Sequence, residues 1–379
     1  MANGNFAVVN SSSSSPTAAS ADLRCRDYQN TPRRAVDLID LQPMRKIACE
    51  SASVCRLDAA ALPYAARMPW ADIKLNDGID ARGPFPGTTI PSIAFGTWTL
   101  GNGQQSTDKV DQAISVGFNH IDTAQSYRNE AEAGIAIHQS GLKREELYIT
   151  TKFSGTNGLD IETSINNSLK NLGVGYVDLY LIHSPRLAQP DIATAWAQME
   201  KVKADGKAKS IGVSNFEISH LEVLLASAKV KPVANQILFH PYVYERQAPL
   251  VEWMAKNGIV TEAYSVLIPL SRQPNGPVDA PVNKIAARLN AAPEQVLLAW
   301  AKAKGVVVVT SSSKKERLEG YLDAGDLKLT SSDIAAIDAA GATGARRFNA
   351  RSFLRKTVAV ALVGAAVLGV CGYFRVKIL

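Results

Sequence analysis

Short apolar runs recur along the middle of the chain and alternate with longer amphipathic stretches. The strand-like runs are Ile93 to Trp98, His120 to Thr123, Leu147 to Phe153, Val177 to His183, Ser210 to Ser214, Val233 to Phe239, Ile259 to Ser265 and Val306 to Ser311. They are near-continuous in apolar residues, the pattern of strands covered on both faces. Helical stretches such as Ile192 to Ala204 and Ser219 to Ala228 separate them, and Asp333 to Ala340 reads as a last helix. Eight such strands in βα alternation predict an α/β fold, a closed (β/α)8 TIM barrel rather than an open sheet. A short hairpin from Ile73, IKLNDG followed by TTIPSIAFGTW, is expected to cap its bottom.

The pattern changes at both ends. Met1 to about Arg67 carries five serines in a row, Ser11 to Ser15, and no sustained apolar period, so a disordered extension is expected. Asp22, Asp27, Asp37, Asp40 and Glu50 among its arginines argue against a mitochondrial presequence. Thr357 to Phe374 is uncharged and rich in Val, Ala, Leu and Gly. At ~1.5 Å per residue it reaches roughly 27 Å, enough for a thin bilayer, and outside a finished barrel an all-round apolar helix has no core to enter. A transmembrane helix is therefore expected. Arg346, Arg347, Arg351, Arg355 and Lys356 precede it and only Arg375 and Lys377 follow, so the positive-inside rule keeps the barrel in the cytosol. The stretch reads as a single-pass tail anchor, with endoplasmic reticulum, outer mitochondrial membrane and peroxisome all open as destinations. The expected organisation is a disordered extension over 1–67, a barrel over 68–345, a basic linker over 346–356 and the anchor over 357–374.

Composition narrows the class. With 379 residues, 46% hydrophobic and 20% charged, the chain suffices for one large domain with appendages. Its net charge of +6 is modest and its basic residues are dispersed among acids, which disfavours nucleic acid as a partner. The four cysteines, Cys25, Cys49, Cys55 and Cys371, form no CxxC pair and lie outside the strand region, so neither a disulfide framework nor a metal site follows.

Candidate chemistry gathers at strand ends. Asp122 closes one run, Lys152 lies near the end of the next and His183 closes the third, while Tyr127 follows Asp122 on a turn. Taken singly, each has an ordinary account: a helix cap, an exposed strand end, a core imidazole. Together they fall on the C-terminal rim of a parallel barrel, where chemistry is done. A carboxylate and a phenol with a cation between them make an acid and its tuner.

The segments IDTAQSYRNE, TTK, DLYLIH, GVSNF, NQILFHPY and AYS occur in that order between about Trp70 and about Gly341. Through them the chain resembles the aldo-keto reductase family, and Met68 immediately precedes the region of resemblance, so residues before it are either a poorly folded extension or an upstream addition. The resemblance implies a catalytic tetrad of Asp122, Tyr127, Lys152 and His183 that reduces a small-molecule carbonyl to an alcohol. A phenol of pKa about 10 is a weak acid at neutral pH. Lys152 is expected to lower that value, Asp122 to hold the ammonium, and His183 to hydrogen-bond the carbonyl oxygen. No GxGxxG follows a first strand, so a Rossmann cradle is not expected. Instead the resemblance implies Ser214, Asn215 and Gln236 on the nicotinamide carboxamide and Tyr264 stacked beneath the ring. Ser312 and Arg317 would hold the 2′-phosphate, although Ser311 stands where many members have lysine. Lys314 or Lys315 could compensate, so NADPH is expected ahead of NADH. Trp98 would wall the substrate pocket, while Ser184 stands where a tryptophan often follows the histidine, implying a more open pocket. The serine-rich stretch most resembles fungal members that reduce dicarbonyls and conjugated polyketones; an open mouth near a membrane would also suit apolar carbonyls. The alternative from another class is a non-catalytic, membrane-associated nicotinamide-binding redox sensor or auxiliary subunit, against which the complete tetrad counts.

Overall fold

In the computed structural model, residues 70–76 and 88–346 are described. Residues 1–67, expected to be a disordered extension, and the apolar stretch 357–374 lie outside the described residues. Among the described residues no helix is long and apolar enough to cross a membrane.

The eight apolar runs close into a barrel. Its strands are β3 (Ile93–Gly96), β4 (His120–Asp122), β5 (Tyr148–Phe153), β6 (Val177–Ile182), β7 (Ala208–Ser214), β8 (Ala234–Leu238), β9 (Val260–Tyr264) and β10 (Val307–Thr310). They pair in parallel in sequence order, and β10 returns to β3 with Val308 opposite Ile93. Such closure leaves no unpaired edge. Ahead of the barrel, β1 (Ile73–Lys74) and β2 (Thr89–Ile90) pair antiparallel, the expected hairpin, with Ile73 opposite Ile90.

Helices fill the connections. They are α1 (Gln104–Val116), α2 (Glu130–Gln139), α3 (Ile161–Leu172), α4 (Ile192–Ala204), α5 (Ile218–Ser227) and α6 (Pro241–Lys256), then α7 (Ile268–Ser271), α8 (Asp279–Leu289) and α9 (Pro293–Ala303) before β10. After it come α10 (Lys315–Asp323) and α11 over 331–346, longer than the helix read from the sequence. The third helix shows how local chemistry sets these bounds. Asp160 accepts the Thr163 N–H at 2.7 Å, and Gly173 ends the helix at φ 66°, a left-handed conformation that suits glycine. Between them Ile161, Ile165 and Leu172 are buried at helical spacing.

The barrel interior is largely apolar, apart from His120 bonded to Thr150 and, toward the C-terminal end, a polar layer of Asp122, Lys152, Gln236 and Glu262. β5 and β6 are buried throughout, as strands covered on both faces must be. His120 and Asp122 share one face of β4, and Glu262 and Tyr264 one face of β9, because side chains alternate along a strand. Gly212 on β7 permits the closure beside them. A Cβ there would lie 2.6 Å from the Ala234 carbonyl oxygen, so a side chain would push β7 from β8.

Candidate active site

The polar layer is centred on an ion pair. Lys152 Nζ, at the C-terminal end of β5, lies 2.7 Å from Asp122 Oδ1 and donates to the Thr123 carbonyl at 2.9 Å. Lysine is almost never fully buried unless paired, and this one has no exposed surface. Burial alone would lower its pKa; Asp122 and Tyr127 outweigh that and raise it, so the ammonium keeps its charge.

Tyr127 follows from a single 3-10 turn over Gln125–Tyr127 that carries the chain over the end of β4. Its ring centroid lies 5.2 Å from the Lys152 ammonium and 5.5 Å from the His183 ring, which it meets edge to face. The expectation of a lowered phenol pKa is corrected here. Burial raises it above the ordinary value, and Lys152, although it pulls downward, does not overcome that. The phenol is therefore fully protonated at neutral pH.

His183, one residue beyond β6, is held neutral. Burial and the Lys152 charge bring its pKa to about 4. Its Nδ1 lies 3.0 Å from Ser154 Oγ and 3.4 Å from Ser126 Oγ, and its carbonyl accepts from Asn215 Nδ2 at 3.1 Å. A hydroxyl donating to Nδ1 leaves the imidazole proton on Nε2.

One cavity of about 830 Å³ joins nearly all the residues selected from the sequence. Asp122, Tyr127, His183 and Trp98 line it, as do Ser214, Asn215, Gln236 and Tyr264, and so do Ser312 and Arg317. Lys152 alone lies behind the wall, reached through Asp122. Within the wall the polar groups are tied together: Ser214 Oγ donates to the Gln236 carbonyl at 2.8 Å, Asn215 Nδ2 donates to Ser214 Oγ at 3.0 Å, and the Tyr264 hydroxyl donates to Asn215 Oδ1 at 2.9 Å. Arg317 stands on the first turn of α10, 3.8 Å from Glu294. Lys314 and Lys315, offered as compensation for Ser311, are not part of the cavity wall, whereas Ser311 itself is. Amide and hydroxyl groups around an aromatic ring at one station, with a guanidinium and serines at another, are a donor set that fits a nicotinamide dinucleotide.

Three participants were not picked out from the sequence. Ser126 and Ser154 contact His183, and Ser154 could have been found as the residue two positions beyond Lys152. Glu262 is fully buried beneath the ion pair, where Gln236 Nε2 donates to its Oε2 at 3.2 Å and to Asp122 Oδ2 at 2.8 Å. The signal for it was a charged residue inside an apolar run, two positions before Tyr264. Among the described residues no group of three His, Cys, Asp or Glu side chains is placed to hold a metal.

A parallel barrel with an acid, a cation and a neutral imidazole grouped beside one long cavity on its C-terminal rim defines a class of enzyme barrels that work on a bound small molecule. The comparisons with known proteins give the family. The model of the aldo/keto reductase family matches residues 92–342, and the chain belongs to that family. It is 37% identical over 279 residues to an NAD/NADP-dependent indole-3-acetaldehyde reductase of Schizosaccharomyces pombe, covering 71% of this chain and 96% of that one. It is 36% identical over 269 residues to a glyoxal reductase of Bacillus subtilis, covering 70% and 91%. A solved aldo/keto reductase from Brucella melitensis superposes with a TM-score of 0.63 at 34% identity, covering 72% of this chain and 99% of its own.

Proposed function

We propose that this protein reduces aldehydes and ketones to alcohols with NADPH, and that Tyr127 is the general acid. The observation that carries the reading is the buried Lys152–Asp122 pair, 2.7 Å apart, beneath a protonated Tyr127 ring and across from a neutral His183. Ser214, Asn215, Gln236 and Tyr264 would hold the nicotinamide of the cofactor, and Ser312 and Arg317 its 2′-phosphate; bound there, NADPH would supply the hydride that the carbonyl carbon takes up. As negative charge develops on the carbonyl oxygen, the Tyr127 hydroxyl gives up its proton to it, and the resulting phenolate lies beside the Lys152 ammonium. That ammonium stabilises charge that exists only after proton transfer, so it favours the transition state over the bound ketone. His183, neutral and protonated on Nε2, donates a hydrogen bond to the same oxygen and fixes its position without competing for the proton.

Small dicarbonyls and aldehydes are the proposed substrate class. Relatives named for glyoxal and indole-3-acetaldehyde support it, as does the mouth of the cavity, where the Arg272 guanidinium lies 5.8 Å from the ring of the half-exposed Trp98. A second carbonyl oxygen finds a donor there. The test is NADPH oxidation by the full chain with glyoxals, 1,2-diketones, matched monocarbonyls and NADH in place of NADPH. Turnover with dicarbonyls ahead of their monocarbonyl counterparts supports the reading; no turnover with any carbonyl overturns it.

We also propose that residues 357–374 attach the protein to a membrane with the barrel on the cytosolic side. The uncharged eighteen-residue stretch and the excess of Arg and Lys before it support this. Deleting 357–374 should move the protein from a carbonate-resistant membrane pellet to the supernatant; a full chain already in the supernatant sinks the proposal.

A further inference from the structure

The reaction as derived leaves the buried Glu262 unused. Glu262 lies on β9 directly beside Gln236 on β8, and the two are register partners. One of its oxygens accepts from Gln236, and the other, Oε1, is buried with no hydrogen-bond partner. Asp122 is better provided, with Lys152 Nζ on one oxygen and Gln236 Nε2 on the other. Two carboxyl groups thus share one amide and one ammonium. An ionised carboxylate without adequate donors is costly to bury, so the poorer site takes up a proton. Burial is the largest cause, the neighbouring Asp122 adds to it, and together they push the Glu262 pKa to about 8.

We propose that Glu262 is a positioning residue that, as a neutral acid, holds the Gln236 amide and keeps a second negative charge away from the Lys152–Asp122 pair. The inference rests on the reductase reading of the cavity above it. Both hydrogens of the Gln236 amide are drawn to carboxyl oxygens, so its oxygen is what remains for a nicotinamide carboxamide. Neutrality matters as much as placement. With Glu262 protonated, the one anion and one cation of the layer balance. Ionised, Glu262 would add an anion to the field that already raises the Tyr127 pKa through Asp122, and would draw Lys152 away from its effect on the phenol. The groups facing it are Asp122 from β4, Lys152 from β5 and Gln236 from β8, while β10 offers only Val307, its register partner, and the other valines of that strand.

The test compares the full-length parent with Glu262→Gln and Glu262→Leu. Glutamine keeps an acceptor for Gln236 and cannot ionise; leucine has no acceptor. The parent should lose kcat/KM through a one-proton alkaline limb near pH 8, and that limb should be absent from Glu262→Gln. NADPH should bind about five- to tenfold more weakly to Glu262→Leu and within about threefold of the parent to Glu262→Gln, the scale of one lost hydrogen bond. Infrared difference spectra give a readout that needs no turnover: a protonated-carboxyl band in the parent at pH 7 that fades as pH rises to 9 and is missing in Glu262→Gln. Persistence of the limb in Glu262→Gln, or absence of the band in the parent, overturns the proposal. If no variant reduces any carbonyl, the reductase reading fails, and the infrared titration with the NADPH affinities still decides the role of Glu262.

Discussion

Two aspartates in this barrel are each clamped by cations, and only one borders the cavity on the C-terminal rim. Asp122 at the C-terminal end of β4 pairs with Lys152 at 2.7 Å. Asp178, near the start of β6 at the opposite end, takes Arg144 Nη2 at 2.6 Å, Lys209 Nζ at 2.9 Å and the Ile149 N–H at 2.9 Å. There both cations also stack on Tyr176, 4.1 and 4.5 Å from its ring centroid. Every oxygen of Asp178 is spent on fixed donors, and its cations reach solvent. The Asp122 pair has a phenol and an open cavity on its far side, so its ammonium has a place where new negative charge can form. The two pairs differ in what lies beyond them, and the strand polarity of the barrel decides which one meets that cavity.

The largest expected effects separate the two ends. Tyr127→Phe removes the acid and leaves the packing, so kcat for carbonyl reduction should fall by about two to four orders of magnitude with the unfolding midpoint unchanged. Asp178→Asn should do the opposite. It strands Arg144 and Lys209 beside one ring and should cost roughly 3 kcal/mol of stability in urea unfolding, with kcat held within about threefold. A large loss of kcat in Asp178→Asn at full occupancy of the folded state would dissolve the distinction.

His120 lies between the two aspartates, which both pull its pKa upward, and burial outweighs them to set it at about 4. Its nitrogens lie 3.2 Å from the Pro91 carbonyl and 2.9 Å from Thr150 Oγ1. Below pH 6.5 the unfolded chain binds a proton that the folded chain refuses until about pH 4. Stability should therefore fall over that window by about 3 kcal/mol from this residue. His120→Asn should flatten the slope of unfolding free energy against pH; an unchanged slope would place the acid sensitivity elsewhere.

The barrel was legible because each strand is a short apolar run, a pattern that local residues alone define. Asp122, Lys152 and His183 were legible for the same reason, since an ionisable residue that ends an apolar run stands out, and Tyr127 was found on the turn that follows the first of them. What escaped were contacts made across strands. Glu262 reads as one acid in a strand until β8 places Gln236 beside it. Asp178 and Arg144 are thirty-four positions apart, and nothing local marks them as a clamp. The rise in the Tyr127 pKa escaped because burial opposes Lys152, and burial is a property of the closed barrel.

The smallest effect tests the finest detail of the rim. Ser154 and Ser126 both reach His183 Nδ1, at 3.0 and 3.4 Å. Ser154 Oγ also lies 3.1 Å from Ser126 Oγ and 3.4 Å from the Lys152 carbonyl, so its hydroxyl has acceptors besides the imidazole. If the hydroxyl pair sets the tautomer, removing both leaves the imidazole proton free to move to Nδ1, and the hydrogen bond to the carbonyl oxygen is lost in that fraction. Ser126→Ala with Ser154→Ala should lower kcat/KM by about fivefold, the scale of one hydrogen bond of about 1 kcal/mol. Threonine at 154 should restore most of it. Nitrogen-15 shifts of the His183 ring read the tautomer directly. A ring still protonated on Nε2 in the double variant would show that the cavity, and not the serines, places that proton.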